Sequence, residues 1–139
     1  MGSLSTFLKT FSAFAIGTGT ASVLLGVRMI EAESGGPLPV DSAATIFADS
    51  QFRFLGGIWA GYGAMLWWTS NDLHRRQVPL AILGSAMVLG GIGRAVSGTL
   101  YGFGSQLVYA ATIVELLVPP AIWLLGNWHG GGDKLLSKR

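Results

Sequence analysis

Residues 105–126 read SQLVYAATIVELLVPPAIWLLG, 22 positions with no basic residue and one carboxylate, Glu115. A continuous apolar run of about 20 residues is what an α-helix needs to cross a hydrocarbon core of about 30 Å. The run lacks the strict alternation of a barrel strand, so it reads as a helix. Working outward, similar runs cover about 10–30, 52–69 and 78–97. The stretch 31–51 separates the first two and carries Gly35, Gly36, Pro37 and Pro39 as turn punctuation. The loop 70–77, SNDLHRRQ, and a glycine-marked turn at 98–104 complete the connections. The expected architecture is all-α: one domain, 1–139, forming an integral membrane four-helix up-down bundle, with 127–139 a flexible basic tail.

Composition agrees. Of 139 residues, 50% are hydrophobic and 12% charged, and mean hydropathy is +0.53. Soluble domains carry about 25% charged residues, so the polar surface is too small to cover a water-soluble globule. The apolar content excludes disorder, and the absence of Cys excludes a disulfide scaffold. A scattered net charge of +2 excludes a nucleic-acid partner.

Charge position orients the spans. Lys9, Arg75, Arg76, Lys134, Lys138 and Arg139 fall on the side of the termini, and Glu31, Glu33, Asp41 and Asp49 on the other. The positive-inside rule then places both termini in the cytosol, with Trp67, Trp68 and Trp128 at the cytosolic interface. The first 32 residues read as a retained span rather than a cleaved signal, because the only basic residue before the apolar run is Lys9. Met1-Gly2 with Thr6 matches a myristoylation pattern by chance.

Many of the 21 glycines sit inside the spans, where small residues let helices approach closely. Gly57 and Gly61 form a GxxxG pair, and Ala86 with Gly90 a small-xxx-small pair. Either face serves intrachain packing or a homo-oligomer. A minority reading gives these glycines a cavity among Trp59, Tyr62 and Met87.

Ionisable residues inside spans cost about 2.5–3.5 kcal/mol on insertion scales and face the protein interior with a partner. Glu115 lies near mid-span with only apolar flanks. Arg94, near the outer end of the adjoining span, is expected to approach it directly or through water. Arg53 enters the second span one helical turn after Asp49, with Gln51 between. Arg28 and Glu31 complete an outer-half cluster of three arginines and three carboxylates. Thr112 shares the Glu115 face, whereas Tyr109 reaches it only if the helix distorts. Pro119-Pro120 is expected to bend the span and to leave carbonyls near Leu116 and the carboxylate unpaired. Such a cluster is either a buried ion network that fixes helix register or a pocket with a tuned proton. His74 and His129 lie apart with no ligand spacing, so no metal is expected, and no dinucleotide or phosphate-loop motif implies a cofactor. The apolar cytosolic halves argue against a through-pore.

The stretch Phe52-Arg53-Phe54-Leu55-Gly56-Gly57-Ile58-Trp59-Ala60-Gly61-Tyr62-Gly63, then Gly90-Gly91-Ile92-Gly93-Arg94, then Glu115 ahead of a proline, carries a family likeness. Over roughly residues 10–126 the chain resembles the small four-span membrane proteins of domain of unknown function 4345. In size and span count it is also similar to the membrane epoxide hydrolase/cyclases of aurovertin- and citreoviridin-type fungal polyketide clusters. The second likeness implies a cofactor-free acid–base enzyme that opens a lipophilic polyketide epoxide in an endomembrane such as the endoplasmic reticulum. Glu115 and Asp49 would then be the acid and base in either order. Arg94 and Arg53 would position them and stabilise charge on the epoxide oxygen. Tyr62, Trp59, Tyr109, Thr112 and Gln51 would line the substrate pocket, with Arg28 and Glu31 further out. The competing readings are a non-catalytic scaffold or accessory subunit held by the same charges, and a small transporter.

Overall fold

The structure is a computed structural model that describes residues 2–31 and 35–128. Its helices are α1 (Gly2–Leu25), α2 (Arg28–Glu31), α3 (Ala43–Ser70), α4 (Gln77–Tyr101) and α5 (Gln106–Trp128). No strand occurs among the described residues. The basic tail from residue 129 onward, Met1 and Glu33 lie outside them. The chain divides into two compact units, Met1–Gln77 and Val78–Arg139.

Each unit is built on an antiparallel pair of long helices. In the first, Ser5 Oγ donates to the Ser70 carbonyl at 2.8 Å, while near the other end of α1 Trp59 Nε1 donates to Thr18 Oγ1 at 2.9 Å. Along this seam the backbones nearly touch. A Cβ on Gly19 would stand 2.6 Å from the Gly56 carbonyl oxygen and the Ala60 nitrogen, and one on Gly63 would stand 2.9 Å from the Ser12 carbonyl oxygen. At this range dispersion between the two backbones holds the pair together. The small residues at the crossing are therefore Gly19, Gly56, Ala60 and Gly63. The expected Gly57/Gly61 pair is not part of it: nothing lies within 4 Å of a Cβ on Gly61, and only a Val23 methyl reaches 4.0 Å from one on Gly57. In register terms, the interface is shifted by one residue onto the next helical face.

The apolar runs locate the helices but misplace their ends. α1 already runs through the polar stretch before residue 10 and stops at Leu25, not Ile30. Gly26 adopts the left-handed conformation (φ 58°) that terminates a helix, and α2 starts afresh at Arg28. α3 begins nine residues ahead of the apolar run, because Ser42 caps it by accepting a 3.0 Å hydrogen bond from the Thr45 N–H. α4 continues to Tyr101, so its turn shrinks to 102–105, with Gly102 and Gly104 at positive φ. α5 runs unbroken through Pro119 and Pro120 to Trp128.

In the second unit Gly84 faces Pro119, Gly91 faces Glu115 and Leu116, and Gly98 faces the Phe103 ring, the register of an antiparallel hairpin. Its large apolar side chains are widely exposed, Leu89 at 69% and Leu117 at 64% among them, whereas the first unit keeps a small core at Leu8, Ala15 and Leu66. Three helices, Gly2–Leu25, Gln77–Tyr101 and Gln106–Leu124, are long and apolar enough to cross a membrane, which is compatible with a membrane protein. α3 is longer than any of them but less apolar, because Asp49 and Arg53 interrupt its first half and Gly, Trp and Tyr dilute the rest.

This packing sets a test. Gly19→Leu overpacks the α1–α3 crossing and should lower stability by about 1–3 kcal/mol, whereas Gly61→Ala should stay within about 0.5 kcal/mol of the parent. Thermal unfolding in detergent micelles compares them; equal effects would place the crossing elsewhere.

Candidate functional site

The first group of charges assembles where α1 ends. Helix termination leaves carbonyls without donors, and Arg53 reaches across from α3 to supply them. Its Nη1 donates to the Val23 carbonyl at 2.7 Å and the Leu24 carbonyl at 3.1 Å. Its Nε donates to Asp49 Oδ2 at 2.7 Å, and Nη2 lies 3.4 Å from Oδ1. Asp49 Oδ1 in turn accepts the Val27 N–H at 2.9 Å, on the far side of the Gly26 turn. One i,i+4 pair thus serves both backbone signs at a single joint. Gly26 has no alternative there, since its φ is positive and a Cβ would collide with the Asp49 carboxylate.

These bonds set the chemistry of Asp49, which stands ahead of the apolar part of α3. The hydrogen bond from Arg53 first, and the one from Val27 second, hold its carboxyl below the ordinary carboxylate value of 3.8, with Arg28 adding a weaker pull. A carboxylate so engaged is held charged.

Beside the joint lies a cleft of about 480 Å³, bordered by Arg28, Glu31, Asp49 and Arg53 and walled by apolar side chains of α1, α3 and the loop between α2 and α3. Gln51 is exposed on α3. Trp59 and Tyr62 stack with ring centres 5.2 Å apart, and Phe11 meets Trp59 edge-on, so both belong to an aromatic cluster between α1 and α3.

The second group lies in the other unit. Gly91 on α4 lets α5 approach until its own hydrogen points at Glu115 and Leu116, and a Cβ there would be 3.0 Å from the Glu115 Cβ. Arg94, one turn further along α4, then brings its Nε to 3.1 Å from Glu115 Oε2. The distance is that of an ion pair, but the N–H is not aimed at the oxygen, and Oε2 is buried with no aligned hydrogen bond. The Glu115 side chain is 12% exposed and that of Arg94 47%. Pro119 and Pro120 bring no N–H to the carbonyls four residues back, which belong to Glu115 and Leu116. Carboxylate and acceptor-rich backbone are thereby concentrated at one level of α5.

Two expected pocket residues have partners of their own. Thr112 is buried, but its hydroxyl donates to the Val108 carbonyl at 2.8 Å. Tyr109 is half exposed and packs edge-on against Phe103, away from the Glu115 face. Among the described residues no group of three or more His, Asp or Glu side chains is gathered to hold a metal ion.

Sequence reading missed the backbone partners at the α1 joint and a second arginine of the same kind. Arg76 donates to the Trp68 carbonyl near the end of α3 and sits 3.9 Å over the Trp68 ring. Gly26 within the first apolar run, with an arginine at the mouth of the second, was the available signal for the first.

The family model for the domain of unknown function DUF4345 matches residues 3–126. The chain belongs to the DUF4345 family. The match covers all of the long helices up to the last residues of α5, so both charged groups fall inside the DUF4345 domain. Comparisons with curated proteins and with solved structures found no match.

The joint makes a pH prediction. Because folding depresses the Asp49 pKa, its stabilisation is complete above the ordinary value of 3.8 and is lost as pH falls through the depressed one. The melting temperature should therefore fall on acidification through that range, and Asp49→Asn should start lower and flatten the fall. An unchanged acid limb in Asp49→Asn would remove Asp49 from the joint.

Proposed function

We propose that this DUF4345 protein is a membrane-embedded, cofactor-free acid–base enzyme acting on a lipophilic small molecule, with Glu115 and Arg94 as its reacting groups. The observation that carries the reading is Glu115 Oε2, buried in an apolar helix 3.1 Å from Arg94 Nε yet without an aligned donor. A structural ion pair in hydrocarbon gains most when its hydrogen bonds are complete. Here one carboxylate oxygen keeps acceptor capacity, and Arg94, half exposed, keeps donors to offer.

Those two groups suit the opening of an epoxide. Glu115 as carboxylate takes a proton from water or from a hydroxyl of the substrate, whose oxygen attacks an epoxide carbon as the C–O bond breaks. Arg94 stabilises the alkoxide, which then recovers the proton from Glu115, so the balance closes with one carboxyl group. The likeness to fungal polyketide epoxide hydrolase/cyclases supports this choice of electrophile. In this proposal Asp49 and Arg53 are structural rather than the second acid–base pair, because backbone groups and each other already engage them. Four membrane crossings, both termini in the cytosol and an endomembrane location complete the reading, on the strength of the charge distribution. The open glycine face of Gly57 and Gly61 is available to a second copy of the chain.

A non-catalytic scaffold is the second reading, and the joint at Gly26 favours it, since charges there do close a fold. The experiment is Glu115→Gln in lipid nanodiscs, measured for melting temperature and for turnover of a lipophilic epoxide. An enzyme keeps its fold and loses about 100-fold or more in rate. Loss of the fold, or no turnover by the parent of any epoxide, would favour the scaffold.

A further inference from the structure

The cleft beside the α1 joint contains a cation that the joint does not use. Arg53 is committed to the Val23 and Leu24 carbonyls and to Asp49, and Asp49 to Arg53 and the Val27 N–H. Arg28, the first residue of α2, borders the same cleft and is exposed. Among the described residues no hydrogen bond or N–O ion pair engages its guanidinium, whose only recorded influence is a long-range pull on Asp49. A guanidinium presents five donors in a planar fork that matches the two oxygens of a carboxylate or a phosphodiester.

The surroundings specify what carries such oxygens. Away from the charges the cleft is lined by Leu24, Leu25, Val40 and Ile46. Leu24 is 70% exposed and Ile46 61%, so the apolar wall opens outward. The volume, about 480 Å³, falls within the range of about 300–1,000 Å³ typical of small-molecule sites. Glu31 lies on the same rim, and its negative charge disfavours a dianion. A polar head beside Arg28 and a hydrocarbon chain along the leucines fill both parts.

We infer that this cleft binds an amphiphile whose head bears one negative oxyanion, a phosphodiester or a carboxylate, on Arg28, with its chain along Leu24, Leu25 and Ile46. The site is independent of the chemistry proposed at Glu115. It places a lipid-like ligand at the corner of the first unit between α1, α2 and α3. Two sources share the chemistry, a membrane phospholipid and a free fatty acid.

Electron spin resonance of chain-labelled probes separates them. The full chain is reconstituted in phosphatidylcholine bilayers doped either with spin-labelled phosphatidylglycerol or with spin-labelled stearate at a pH where it is ionised. The motionally restricted fraction gives the association of each probe relative to labelled phosphatidylcholine. Arg28→Gln should reduce that preference about tenfold, the loss of a charge-assisted hydrogen bond. Arg28→Lys should retain part of it, and Ile46→Glu, which leaves Arg28 intact, should reduce it as well. Loss for phosphatidylglycerol alone assigns the phosphodiester, loss for stearate alone the carboxylate, and loss for both the shared oxyanion. Arg75, 90% exposed in the turn after α3, provides the control for general surface attraction. The site is overturned if neither Arg28→Gln nor Ile46→Glu alters the preference of either probe, or if Arg75→Gln alters it as much.

Discussion

An α-helix that stops leaves its last carbonyls without donors, and at the edge of a hydrocarbon layer water does not fully replace them. In the first unit this constraint explains where Asp49, Arg53 and Arg76 point. α1 stops at Gly26, and Arg53 arrives from the neighbouring helix to take the Val23 and Leu24 carbonyls. Asp49, one turn earlier on that helix, holds the arginine and simultaneously receives the Val27 N–H of the restarting chain. The close α1–α3 crossing at Gly19 and Gly56 brings the two helices near enough for the arm to reach. Ser5 and Arg76 perform the same service at the end of α3.

The second unit meets the same requirement differently. Two consecutive prolines within α5 withhold the donors that the Glu115 and Leu116 carbonyls would normally receive. Arg94 approaches the carboxylate of that residue, with its N–H off the line to the buried oxygen. Where Arg53 and Asp49 of the first unit are matched to each other and to backbone groups, this level of α5 retains acceptor capacity beside a half-exposed cation. The contrast separates charges that close the fold from charges proposed to act on a substrate.

Much of this was legible before any coordinates. Apolar runs located the four long helices, and the family likeness agrees with the match over 3–126. Hydropathy misjudged the ends because it registers apolarity, not helix continuation. Ser42 caps α3 well before the apolar part begins, and Gly26 breaks α1 inside it. Depth along the spans and the short turn expected at 98–104 placed Arg94 near Glu115, and the structure sets them 3.1 Å apart. Neither could reveal that Asp49 and Arg53 answer to backbone groups of α1 and α2, since a carbonyl or N–H leaves no mark in a residue pattern. Which glycines meet was likewise hidden: Gly56 and Gly57 are identical in sequence, and only the facing helix distinguishes them.

The central claim is that Asp49 and Arg53 matter through the backbone groups they serve, and exchanging them tests it most directly. The double variant Asp49→Arg/Arg53→Asp preserves one acid and one base at i and i+4 while presenting each to the wrong backbone partner. Its melting temperature in detergent should remain well below that of the parent chain, near that of Arg53→Asp alone. Recovery to the parent value would show that the pair acts as an interchangeable ion pair and would contradict the account.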